Sequence, residues 1–225
     1  MMKRNLALLG CAMSLCSSFG VQAQEYMFTY SKLFSQLKNN SKEGHDDVKV
    51  GIFFVNPQTK QLCNIEKAWM EKEQHYEEFV IPPSQELLLP LDNNLKSANP
   101  LVFVHTPQDM RCDYSLVVMT KEPLEGKVTY QQLAPLMPQM KALLDDLGGM
   151  FSSWFTPEVE GVTMEFANGL NGKVTFSNGG EKAIVNGKVQ VALTEIGEKG
   201  FVLLPQATTR VLPYLPAAKN SLQQE

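Results

Sequence analysis

Val48-Lys49-Val50-Gly51-Ile52-Phe53-Phe54-Val55, followed by Asn56-Pro57-Gln58-Thr59, decides how the chain is read. Eight residues rich in Val, Ile and Phe, bounded by an Asn-Pro turn, describe a β-strand and its stop. In residues 62–70, Cys63, Ile65 and Trp69 then alternate with polar residues, so the two segments are expected to form a hairpin. Working outward, residues 78–81, 86–91, 101–105 and 114–120 read as further short strands, separated by Pro, Asn and Asp. Such spacing is the signature of a sandwich or barrel. Before them, residues 30–40 read as a short helix with Leu33, Phe34 and Leu37 on one side and Ser31 placed to cap it.

Residues 129–155 break the strand rhythm. Leu133, Met137, Met140, Leu144, Leu147, Phe151 and Trp154 recur at alternating intervals of 4 and 3. Leu136, Leu143 and Met150 widen the seam, opposite Gln139, Lys141, Asp145 and Asp146, which describes an amphipathic helix. Pro135 and Pro138 confine the regular part to what begins near one of them, and Thr156-Pro157 ends it. Beyond it, Asn168-Gly169, Asn171-Gly172, Asn178-Gly179-Gly180 and Asn186-Gly187 punctuate strands at 162–166, 173–176, 182–185 and 189–193, with 201–204 and 209–215 adding two more. Asn-Gly is a strong hairpin signal, because the two central positions of a type I′ turn need positive φ. The fold class expected is α+β: an antiparallel β-sandwich-like domain over 24–125, a long amphipathic helix over 126–157, a β-hairpin meander over 158–215, and a flexible tail over 216–225.

Residues 1–23 have the three parts of a secretory signal. Lys3-Arg4 is the basic region, 6–21 is apolar apart from Ser and Cys, and Val21-Gln22-Ala23 offers the small residues a signal peptidase reads. Cleavage after Ala23 is expected, which places the protein in the periplasm. Leu8-Leu9-Gly10-Cys11 also resembles a lipobox, but a hydrophobic region ending at Leu9 would be too short. The whole chain has 225 residues and a formal net charge of -4; loss of Lys3 and Arg4 leaves 18 basic against 24 acidic residues, a net -6. With 44% hydrophobic and 20% charged residues, it is neither a disordered tail nor a polytopic membrane protein. An acidic balance without a basic stripe excludes a nucleic-acid partner. No stretch of the mature chain is long and apolar enough for a transmembrane segment.

Cys63 and Cys112 are the cysteines left in the mature chain, and two cysteines in an oxidising compartment are expected to form a disulfide. A nucleophilic thiol or a metal ligand is the alternative, but neither belongs to a C-x-x-C pair. Catalytic motifs are absent: there is no G-x-S-x-G, G-x-G-x-x-G or H-E-x-x-H, and Gly172-Lys173 is followed by Val174 rather than the Ser or Thr of a phosphate-binding loop. No cofactor is expected.

Three stretches carry what chemistry the sequence offers. In Glu43-Gly44-His45-Asp46-Asp47, the imidazole and carboxylates of His45, Asp46 and Asp47 could hold a divalent cation for a metal-assisted hydrolase. The competing reading is a solvated turn before a strand. Residues 66–78 are dense in charge, with Trp69 and Tyr76 as rigid groups of a recognition edge. The competing reading is an exposed hairpin whose charges discourage edge pairing. Met137 and Met140 could supply thioethers to copper, but they lie on the apolar seam, where Met fills a core. Residues 136–155 could also lie on a membrane, although a polar face with Lys141 beside Asp145 and Asp146 does not attract anionic lipid. The first reading is therefore a non-catalytic periplasmic binding or envelope-accessory protein, with another periplasmic or envelope protein as its partner.

A family resemblance agrees. Phe28-Thr29-Tyr30-Ser31-Lys32-Leu33-Phe34, Gly51-Ile52-Phe53-Phe54-Val55, Leu62-Cys63, Lys67-Ala68-Trp69-Met70-Glu71-Lys72, Asn99-Pro100, Cys112-Asp113 and Val117-Val118-Met119 are similar to a group of uncharacterised exported proteins of gammaproteobacteria, a domain of unknown function. The resemblance implies a periplasmic setting and supports the pairing of Cys63 with Cys112. It brings no activity and no site residues.

Overall fold

The computed structural model describes residues 24–148 and 157–215. The proposed signal, residues 149–156 of the expected helix and the tail at 216–225 lie outside them. The elements in chain order are β1 (Gln24–Thr29), α1 (Tyr30–Leu37), β2 (Val48–Val55), β3 (Lys67–Lys72), β4 (His75–Glu78), α2 (Asn93–Ala98), β5 (Leu101–Thr106), β6 (Asp113–Thr120), β7 (Lys127–Thr129), α3 (Tyr130–Leu133), α4 (Leu136–Gly148), β8 (Gly161–Glu165), β9 (Gly172–Phe176), β10 (Glu181–Ile184), β11 (Lys188–Ala192), α5 (Leu193–Ile196), β12 (Phe201–Leu203) and β13 (Arg210–Tyr214). Helices and antiparallel sheets are mixed along the chain, as an α+β fold requires.

β2 is buried on both faces: Val48, Val50, Ile52 and Phe54 on one side and Phe53 on the other are at most 1% exposed. Such a strand needs a full-length partner as well as two covers. The partner is β6, paired from Val48↔Thr120 to Val55↔Asp113, and not residues 62–70. The expected hairpin is thus corrected. The Asn56 turn does form, with its Oδ1 accepting the N–H groups of Gln58 and Thr59 at 2.9 Å. The returning chain touches β2 through the Val55↔Leu62 bridge, and β3 then joins another sheet. Cys63 is turned inward and bonded to Cys112 just before β6, with Cα atoms 6.2 Å apart. The disulfide therefore ties the departing segment to the strand that replaces it.

The sheet that β3 joins has the order β1-β5-β3-β4. β1 was not expected as a strand, because Met27 on its outer side obscures the alternation of inward Tyr26 and Phe28. Residues 86–91 form no strand; Pro82, Pro83 and Pro90 remove donors along this stretch, and Leu87 is instead buried with its N–H bonded to Ile52 O at 2.9 Å. Its neighbour Glu86 lies over β2, where its carboxylate pairs with Lys49 at 2.8 Å. Gly51 makes room for it: a Cβ there would stand 3.1 Å from the carboxylate and 2.7 Å from the Phe53 ring. Ser31 is not the cap of α1. Thr29 holds that position without a side-chain bond, and Asn99 Oδ1 accepts the Ser31 N–H at 2.9 Å.

The helical region divides into α3, opened by a Thr129–Gln132 capping box, and α4, whose first turn contains Pro138. Leu136, Met137, Met140 and Leu143 of α4 are buried in the core. The described part of the helix thus spends Leu136, Met137, Met140 and Leu143 internally; the rest of the 136–155 stretch read as a membrane-binding surface lies outside the described residues.

The C-terminal strands do not form one meander. They divide between two sheets, β10-β9-β12-β7 and β11-β8-β13, with β9 and β10 forming a hairpin in the first. The Asn186-Gly187 turn has the expected positive φ at both residues, 49° and 76°, yet pairing across it stops at the Val185↔Lys188 bridge. A Cβ at position 187 would lie 2.8 Å from Phe166 O, so the turn is pressed against the end of β8 and the two strands part there. Across β8, Glu165 faces Lys188 on one side and Arg210 on the other. Its carboxylate pairs with both.

Two outcomes are expected. Replacing Cys63 and Cys112 by Ser opens a loop of sequence separation 49 and should lower stability to urea by about 4 kcal/mol; an unchanged midpoint would contradict this. Burial pushes the Tyr114 hydroxyl up to about 12 from 10.0. The folded state then holds that proton more tightly than the unfolded chain, so stability is whole below pH 10 and declines as pH rises toward 12. Tyr114→Phe should flatten this alkaline decline, and an identical pH profile would count against it.

Candidate functional site: the outer face of the first sheet

Alternation along the β1-β5-β3-β4 sheet sends Tyr26, Phe28, Val102, Val104, Ala68 and Met70 toward the core. The opposite residues form rows set by register. Met27, Phe103, Trp69 and Glu78 make the central row. Glu25, His105 and Lys67 flank it on one side, and Thr29, Leu101, Glu71 and Tyr76 on the other. This face is open: Met27 is 62% exposed, Tyr76 53% and Leu101 37%.

The rings are ordered by one another. Trp69 and Phe103 stack with centroids 5.1 Å apart and planes 10° from parallel. His105 meets Trp69 edge-on at 4.8 Å, and Tyr76 lies 6.3 Å away. Glu25 holds the His105 Nε2 at 2.7 Å. The Trp69 indole N–H donates to Glu71 at 3.1 Å, and the Tyr76 hydroxyl donates to Glu78 at 3.1 Å. Lys67 stands over both rings, 5.3 Å from Trp69 and 5.6 Å from Tyr76. The Tyr76 hydroxyl and the Glu78 carboxylate raise its pKa above the ordinary lysine value, so the ammonium stays charged. Aromatic pairs of this kind are worth about 0.5–1.5 kcal/mol beyond burial. They also order the half-buried Trp69 and Phe103 rings beside the exposed Met27 and Tyr76.

Trp69 and Tyr76, singled out from the sequence, are thus brought together. Met27, Phe103, Leu101 and the Glu25–His105 pair were missed. For Leu101 and Phe103 the signal lay in residues 101–105, where apolar residues fill both alternating sets although the sheet has one core face. His45, Asp46 and Asp47 are not brought together: His45 is buried, with Nδ1 lacking a hydrogen-bond partner, while Asp46 and Asp47 are exposed. Asp47 instead docks α4, its N–H donating to Gln139 Oε1 at 3.0 Å and its carboxylate accepting from Gln139 Nε2 at 2.9 Å. Among the described residues no group of three or more His, Cys, Asp or Glu could hold a metal ion, and no helix is long and apolar enough to cross a membrane.

No curated protein and no solved structure matches the chain. A family model does, over residues 22–166. That stretch contains every residue of the aromatic face and the disulfide, and it ends one residue beyond Glu165. The chain belongs to the family described as protein of unknown function (DUF2987).

Proposed function

We propose that the protein is a non-catalytic binding or envelope-accessory protein of the periplasm, exported by cleavage after Ala23, and that it holds a partner protein on the outer face of its first sheet. The observation that carries this reading is the row Met27–Phe103–Trp69 with Tyr76 beside it, in which the half-buried Phe103 and Trp69 rings stack between the exposed Met27 and Tyr76. Apolar rings ordered by stacking lose little conformational freedom when a partner covers them, so the association keeps more of its gross energy. The Cys63–Cys112 disulfide supports an oxidising compartment.

The test is co-purification from a periplasmic extract with wild type, Trp69→Ala and Tyr76→Ala, each checked for native circular dichroism. Loss of the same bound proteins from both variants is expected. Identical partner sets on all three would overturn the reading.

A further inference from the structure

Among the described residues β4 is the last strand of its sheet and pairs with β3 alone. Phe79 N–H bonds Ala68 O at 2.8 Å, so antiparallel alternation aims the backbone groups of His75 and Glu77 at β3 and those of Tyr76 and Glu78 at the open edge. All four residues are exposed. Along the strand lies a cleft of about 310 Å³, lined by Met70, Lys72, His75, Glu77, Leu95 and Pro100 and reaching round to Glu71 and Tyr76 of the outer face. A free edge beside an apolar cleft and aromatic rings has places for alternate side chains of an added strand.

Charge selects the occupant. Residues 66–78 hold five acids, Glu66, Glu71, Glu73, Glu77 and Glu78, against Lys67 and Lys72. Both lysines are turned to the protein itself: Lys67 lies over the rings and 3.4 Å from Glu78, and Lys72 Nζ donates to Ala98 O at 2.5 Å. A second copy of this chain added at β4 would set Glu77 and Glu78 near the same acids of its neighbour, and like charges across strands repel. Lys72 fills the Ala98 side of the cleft, so a lysine or arginine on an incoming strand would instead set its head beside Glu77 and Glu78 at the open edge, its methylene stem along the strand.

We infer that β4 accepts an extended basic segment of a partner protein as a fifth strand of the first sheet. This deepens the binding reading above and rests on it.

The test measures fluorescence anisotropy with a fluorescein-labelled peptide alternating lysine and valine, at low salt. The full chain should bind it, and Glu77→Lys combined with Glu78→Lys should weaken binding by about tenfold or more. N-methylation of alternate peptide nitrogens should abolish it. Equal binding of a peptide with glutamate in place of lysine, equal binding of the N-methylated peptide, no binding of the lysine peptide, or a wild-type dimer that covers β4 would each overturn the inference. If the lysine peptide fails while co-purification still depends on Trp69, the sheet-edge inference falls alone. If both fail, the binding reading falls with it.

Discussion

The pair between Glu165 and Arg210 is the interaction on which the molecule depends. β2 carries apolar residues on both faces, and the second face cannot be left to water. Phe53, on that face, lies under the Arg210 guanidinium at 4.9 Å. That side chain is itself only 10% exposed, and its charge is tolerable there because Glu165, at 7%, is paired with it. Removing one partner of a buried ion pair leaves the other uncompensated, at a cost of about 3–5 kcal/mol. Lys188, half in solvent, adds much less to the same carboxylate. Glu165 lies on the middle strand of the β11-β8-β13 sheet. Both neighbours of β8 lie beyond residue 166, so the C-terminal strands complete a fold that the family-matched stretch leaves open at β8.

This closure determines what the first sheet is free to do. Its inner face meets the first face of β2, with Tyr26 and Phe54 in ring contact at 4.8 Å and Phe28 and Tyr114 at 5.1 Å. α4 packs against β2, β6 and β13 on the other side of the core. The aromatic row is held rigid by its own stacking and by the Glu25, Glu71 and Glu78 carboxylates. The site and the core are thus two faces of the same strands, separated by the pleat.

Much of this was legible in residue order, and the failures have physical causes. Residues 48–55, 101–105 and 114–120 fall on strands because their β-branched and aromatic runs are bounded by turn residues. Pairing was not legible: adjacency in sequence favoured 62–70 as the partner of β2, whereas burial on both faces and the disulfide favour β6. Asn186-Gly187 correctly marked a tight turn, but pairing after a turn depends on what the strands meet next, here the end of β8. At the candidate site, Trp69 and Tyr76 stood out because they interrupt a run of charge. Phe103 and Met27 did not, since an apolar residue in an apolar strand looks like core until the sheet shows which face it occupies. The His45-Asp46-Asp47 cluster shows the converse, for neighbours in sequence point to opposite sides.

The most direct measurement of the account is urea unfolding of full-length Glu165→Ala, followed by backbone circular dichroism and by tryptophan emission. If Glu165 anchors Arg210 over Phe53 and joins the C-terminal sheet to β2, the variant loses about 3–5 kcal/mol, and both probes move together in one transition. A loss below about 1 kcal/mol, the range of an exposed ion pair, or two separate transitions, would contradict it.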